Sequence, residues 1–112
     1  MKKLIVKTLL VVVGLAVFQQ SVFASTATSR VKTVRINKTV ASPARTSIEM
    51  FSTTTGPCFG NWYAFENAHT GLGKNWTDAV VAAYQVGKTV QIVGTGTCDN
   101  KGVEKVNYID IK

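Results

Sequence analysis

Apolar residues follow three patterns along this chain, and each predicts a different element. The first is a block. After Lys2, Lys3 and Lys7, an apolar run from Leu9 to Phe18 leads through Gln19-Gln20-Ser21 to Val22-Phe23-Ala24. The run is too short to span a bilayer comfortably, and no stop-transfer charge cluster follows it. Val22 and Ala24 stand at positions −3 and −1 before Ser25 and fit a signal-peptidase site. Residues 1–24 therefore read as a signal peptide, with an uncleaved N-terminal anchor as the alternative.

The second pattern is alternation, the period of a strand with two unlike faces. In RVKTVRIN (30–37), Val34 and Ile36 share a face with Lys32; in SIEMFSTT (47–54), Ile48 and Met50 fall together. In NWYAFEN (61–67), Trp62, Ala64 and Glu66 alternate with Tyr63 and Phe65. KTVQIVG (88–94) puts Val90 and Ile92 on one face. VEKVNYIDI (103–111) puts Val106 and Tyr108 on one face and Ile109 and Ile111 on the other, so both sides of it read as partly covered. Ser25 to Ser29 is small and polar and reads as a frayed terminus.

The third pattern is helical. Trp76, Ala79, Val80, Ala83 and Val86 recur at helical spacing in NWTDAVVAAYQVG (75–87). Asn75 is the expected N-cap, Asp78 a carboxylate suited to the helix start, and Gly87 the stop. The preceding Ala68 to Lys74, with Gly71 and Gly73, reads as a mobile loop. It completes neither a G-x-G-x-x-G fingerprint nor a phosphate-binding loop. Asn37-Lys38-Thr39 and Asn75-Trp76-Thr77 match a glycosylation acceptor by coincidence.

These elements make an α+β domain of about five short strands and one helix. The expected architecture is a small antiparallel sheet or a partly open barrel of the OB type. Removing 24 of 112 residues leaves 88, enough for a single domain over residues 25–112 and for a modest core that benefits from a staple. Cys58 and Cys98 supply it: an even pair in an exported chain reads as one disulfide. Closing that loop is worth about 4 kcal/mol in the chain-entropy model. Cysteines locked in this way are no nucleophiles, and two of them make no metal site.

Charge narrows the partners. Three of the 13 basic residues leave with the leader, so ten face six acids, a net +4. Arg30, Lys32, Arg35, Lys38 and Arg45 all precede the first acid, Glu49. Such an arm suits an acidic sugar, anionic lipid or nucleic acid, and export argues against nucleic acid. The competing reading is an edge strand kept soluble by charge.

Candidate chemistry is sparse. Trp62, Tyr63 and Phe65 form the densest aromatic cluster; aromatic faces stack on sugars, but alternate members can equally fill the core. Tyr63 carries a hydroxyl that needs a partner if buried, so Tyr63 is the expected outward contact, with Phe65 on its face and His69 on the adjoining loop. Trp76 reads as core. His69 is the only histidine and, with no partner base in sight, reads as an exposed loop residue. The acids Glu49, Glu66, Asp78, Asp99, Glu104 and Asp110 are scattered. No catalytic residue, cofactor or metal is expected.

Two runs then carry a resemblance: AAYQVGKTVQIVGTGTC at the helix end and VNYIDI at the close of the chain. The pattern resembles small exported bacterial proteins with a helix, G-K-x-V-x-I, a G-x-C turn and a final Y-I-x-I strand. More distantly, it is similar to the receptor-binding B subunits of the subtilase-cytotoxin type. The resemblance spans Cys58 to Lys112 and is clearest from Trp76 to Cys98. It implies an OB fold, export, assembly as a homo-oligomeric ring and glycan binding. The serine and tyrosine through which those subunits bind sialic acid match no position here, and the cysteine spacing departs from theirs. The expected function is an exported, non-enzymatic binding module for a glycan or a protein surface, with no membrane span after cleavage. The alternative is a monomeric periplasmic inhibitor or envelope-interaction protein. The least expected is a hydrolase using His69.

Overall fold

The structure, a computed structural model, describes residues 24–40, 42–52 and 56–112. The apolar run of the expected leader and the end of the second expected strand lie outside these residues. Five strands and one helix follow in order: β1 (Thr26–Asn37), β2 (Arg45–Met50), β3 (Trp62–Phe65), α1 (Gly71–Val86), β4 (Thr89–Cys98) and β5 (Glu104–Ile111). The strands close into a barrel in the order β1-β2-β3-β5-β4. This is an OB-like arrangement, and the sheet is mixed. All neighbours run antiparallel except β3 and β5, which run parallel.

Closure depends on β1. Its first half, Thr26–Arg30, pairs with β4; its second half, Thr33–Asn37, pairs with β2. The register shifts between Val31 and Thr33, where one extra residue bends the strand from one neighbour to the other. The expected frayed terminus is therefore a paired strand, with Ala27 1% exposed. The basic segment pairs with β2 on one side, while the register with β4 stops at Arg30.

Ile48, Met50, Val90 and Ile92 are fully buried at the centre, as their alternation requires. In β5 the alternation misleads. A shift between Val93 and Gly94 inserts one extra residue in β5, so Val106 and Ile109 both join the core while Tyr108 stays exposed. β4 also runs on to Cys98, through residues whose glycines suggest a turn. The Cys58–Cys98 disulfide forms as expected, with Cα atoms 5.6 Å apart, and ties the β2–β3 connection to the end of β4.

Helix α1 begins four residues before its expected cap. Thr70 holds the N-cap position with no side-chain bond, and Asn75 lies inside the helix, exposed. Tertiary contacts override the local signal. Asn67 N–H bonds Ser42 Oγ at 2.9 Å and Ala68 N–H bonds the Ala44 carbonyl at 2.9 Å, pinning the chain as it enters the helix. Gly73 then lies against the Asn67 backbone, where a Cβ would collide with the carbonyl. Thr77 Oγ1 donates to the Gly73 carbonyl at 2.8 Å and meets Thr46 Oγ1 of β2 at 2.8 Å. Val80 and Ala83 pack into the barrel, and Trp76 sets its ring edge-on to Phe65 at 5.1 Å. Gly87, left-handed at φ 70°, ends the helix as expected. Among the described residues no helix is long and apolar enough to cross a membrane.

Candidate functional site

Strand β3 separates two chemical environments. Its period-two geometry puts Tyr63 and Phe65 on one side and Trp62 and Ala64 on the other, and the sides are the reverse of the expectation. Tyr63 is 1% exposed and Phe65 7%, both in the core. The Tyr63 hydroxyl finds its partner inside, at Ser25 Oγ, 2.8 Å away. Neither ring is an outward contact. His69 is exposed in the turn between β3 and α1, as expected of a loop residue, and is not brought to an outward aromatic face.

The outward side carries the candidate site. Arg35 of β1 is the register partner of Ser47 of β2, and Ser47 is the partner of Ala64 of β3, so one row crosses the barrel wall. Trp62 is half-buried beside this row, and the Arg35 guanidinium lies over its ring, 5.3 Å from the centroid. Phe59, 62% exposed, and Lys101 complete the rim of a cleft of about 290 Å³ whose floor includes Ser47 and Val103. A second hollow adjoins it and shares Lys101; Lys38, Thr39 and Asn100 line it. The first hollow lies on the face of β2 and β3, and the second between the β1–β2 and β4–β5 connections. In OB barrels that face takes oligonucleotides and oligosaccharides.

The walls are held by charge and by the disulfide. Arg45 opens β2 and is 4% exposed, with its guanidinium Nη2 2.7 Å from Asp99 Oδ2 and Nε 3.6 Å from Glu66 Oε2. Asp99 in turn accepts the backbone N–H of Lys101 at 2.9 Å and of Val103 at 3.0 Å through Oδ1. Burial pushes the Asp99 carboxyl up, but the Arg45 bond and these two N–H groups outweigh it and hold it below the ordinary carboxylate value. The β4–β5 turn is thus clamped onto β2. Phe59 N–H bonds the Gly102 carbonyl at 3.0 Å, and the ring packs on Gly102, which needs its φ of +81°. Cys58 and Cys98 lock the same two segments together.

This leaves a distinction among the cations. Arg45 is spent on structure, between two carboxylates. Arg35, Lys38 and Lys101 make no ion pair among the described residues. Glu49, the acid nearest Trp62 in register, is tied by Thr33 Oγ1 at 2.9 Å, Asn61 Nδ2 at 3.2 Å and Lys32 at 3.9 Å. The cleft therefore offers a guanidinium over an aromatic ring, an exposed ammonium and an exposed phenyl ring. Stacked guanidinium keeps its N–H edge free for a carboxylate or sulfate, and Trp offers a face to a sugar ring. Among the described residues no group of three or more His, Cys, Asp or Glu side chains converges as a metal would require. Comparison with protein-family models, curated proteins and solved structures finds no match.

Arg35, Phe59 and Lys101 were not legible as a site because they lie far apart in sequence. One signal was present: Glu66 shares a side with Trp62, and a carboxylate marks the solvent side of a strand more surely than a tyrosine hydroxyl does.

Proposed function

We infer that this protein is an exported binding module and that the Arg35–Trp62–Lys101 cleft holds an acidic glycan. The observation that carries the reading is the exposed Arg35 guanidinium over the Trp62 ring, with a second cation, Lys101, on the same cleft and neither in an ion pair among the described residues. A neutral sugar would stack on Trp62 and leave both cations unused; a carboxylated or sulfated sugar engages all three. The adjoining Lys38 hollow extends the site beyond one sugar unit. Export rests on the leader pattern, and the disulfide is compatible with an oxidising compartment. Assembly into a ring, as in the subunits the sequence resembles, is part of the same proposal, and solution mass tests it.

Binding should be measured on a panel pairing each acidic glycan with its uncharged counterpart. The acidic member should bind more tightly, and salt should weaken it, because exposed charges are screened. Equal binding of both members would overturn the reading. Preference for single-stranded oligonucleotide would redirect it to nucleic acid.

A further inference from the structure

Glu104 is the least expected residue inside the barrel. It opens β5 opposite Tyr63 and is 2% exposed. Its Oε2 accepts the Ser25 backbone N–H at 3.0 Å and the Gly96 N–H at 2.9 Å, and its Oε1 accepts the Ser25 hydroxyl. Gly94 makes room for it, since a Cβ there would collide with the carboxylate. Every one of these donors is neutral. No Lys, Arg or His among the described residues lies within ion-pairing distance of Glu104. A buried carboxylate without a countercharge is costly, and folds that keep one supply a cation.

The missing cation has an address. Ala24 is exposed while Ser25 is 8% exposed, so the chain enters the barrel between these two residues. That peptide bond is the one the leader pattern marks for cleavage. Hydrolysis turns the Ser25 amide nitrogen, already 3.0 Å from Glu104 Oε2, into an ammonium. We propose that leader removal at Ala24–Ser25 creates a buried α-ammonium–Glu104 ion pair, which locks β1 to β4 and β5 more firmly in the processed chain than in the full one. The bond between the Ala24 carbonyl carbon and Ser25 nitrogen breaks, water supplies OH to the carbonyl carbon and a proton to the nitrogen, and the amine takes a further proton from solvent. The Gly94 N–H to Ser25 carbonyl bond, 2.9 Å, is untouched, so the strand keeps its register.

The inference rests on residues 1–24 being a cleaved leader, and the test separates the two. The full chain is expressed with its leader, and the exported protein is weighed intact. A mass that does not begin at Ser25 overturns the leader reading and, with it, the pair. With Ser25 first, the protein is acetylated at its α-amine while denatured, then refolded with the disulfide intact. Acetylation should lower the melting temperature by about 5 °C or more, and in Glu104→Gln it should cost much less. Equal losses in both proteins, or none, would overturn the ion pair. Should Glu104→Gln fail to fold, acylation of the native protein near neutral pH decides instead. The Ser25 α-amine should react at least about tenfold more slowly than in the denatured chain, a protection factor equivalent to about 1.4 kcal/mol; equal rates would refute the proposal.

Discussion

The two sides of β3 solve opposite problems with similar materials. Inside, one acid, Glu104, is sealed among small donors, and a tyrosine hydroxyl closes the network through Ser25. Outside, Arg45 is sealed between Asp99 and Glu66, while Arg35 and Lys101 are left free beside Trp62. The inner set is satisfied to its last polar atom and holds the barrel shut. The outer set is satisfied only as far as the walls of the cleft need. Unsatisfied but solvated charge next to an aromatic face is what a binding site retains and a core cannot.

The largest effect should come from breaking the inner set. Gly94→Ala drives a methyl into the Glu104 carboxylate and strands the Ser25 and Gly96 donors. Unpaired buried groups cost about 1–3 kcal/mol each, so the variant should lose about 3 kcal/mol or more in urea unfolding, or fail to fold. A midpoint equal to wild type would mean that Glu104 does not belong inside.

The clamp between the two sides should come next. Asp99→Asn leaves Arg45 with only Glu66, and near neutral pH it should cost about 2 kcal/mol, less than a fully orphaned buried charge. Asp99 has its carboxyl depressed in the folded protein. Its stabilisation is therefore complete above the unfolded value of about 4 and is lost as pH falls through the lower folded value. Denaturation curves of wild type and variant should converge in acid. A gap that stays constant down to about pH 2 would show that the clamp acts through shape rather than charge.

The smallest effect should fall on His69, which is exposed and touches neither side. His69→Ala should change stability by about 0.5 kcal/mol or less and leave glycan binding unchanged. A loss of binding would move the site from the barrel wall to the β3–α1 turn.

Much of the barrel was written in local pattern. The alternation of Ile48 with Met50 and of Val90 with Ile92, the helical stripe through Val80 and Ala83, and the stop at Gly87 all depend on neighbours in sequence. What escaped depends on distant partners. The extra residues in β1 and β5 invert the phase of alternation midway, so Tyr108 and Val106 cannot be sorted without β4. Ser25–Ser29 looks frayed until β4 pairs with it. Helix α1 starts early because Ser42 and Ala44 hold the chain before it. The cleft is the extreme case: its cations come from β1 and the β4–β5 turn, and the same Trp62–Phe65 strand that announces aromatic chemistry gives no local sign of which side faces water, save Glu66.

The claim that function lies on the outer side of β3 is tested most directly by titrating one acidic glycan into three proteins. Trp62→Ala should weaken binding by about tenfold or more, about 1.4 kcal/mol, with little change in melting temperature. Tyr63→Phe, which removes only the inner hydroxyl bonded to Ser25, should lower stability by about 1 kcal/mol and leave affinity within about twofold of wild type. The opposite pattern, with affinity lost in Tyr63→Phe and kept in Trp62→Ala, would contradict the account.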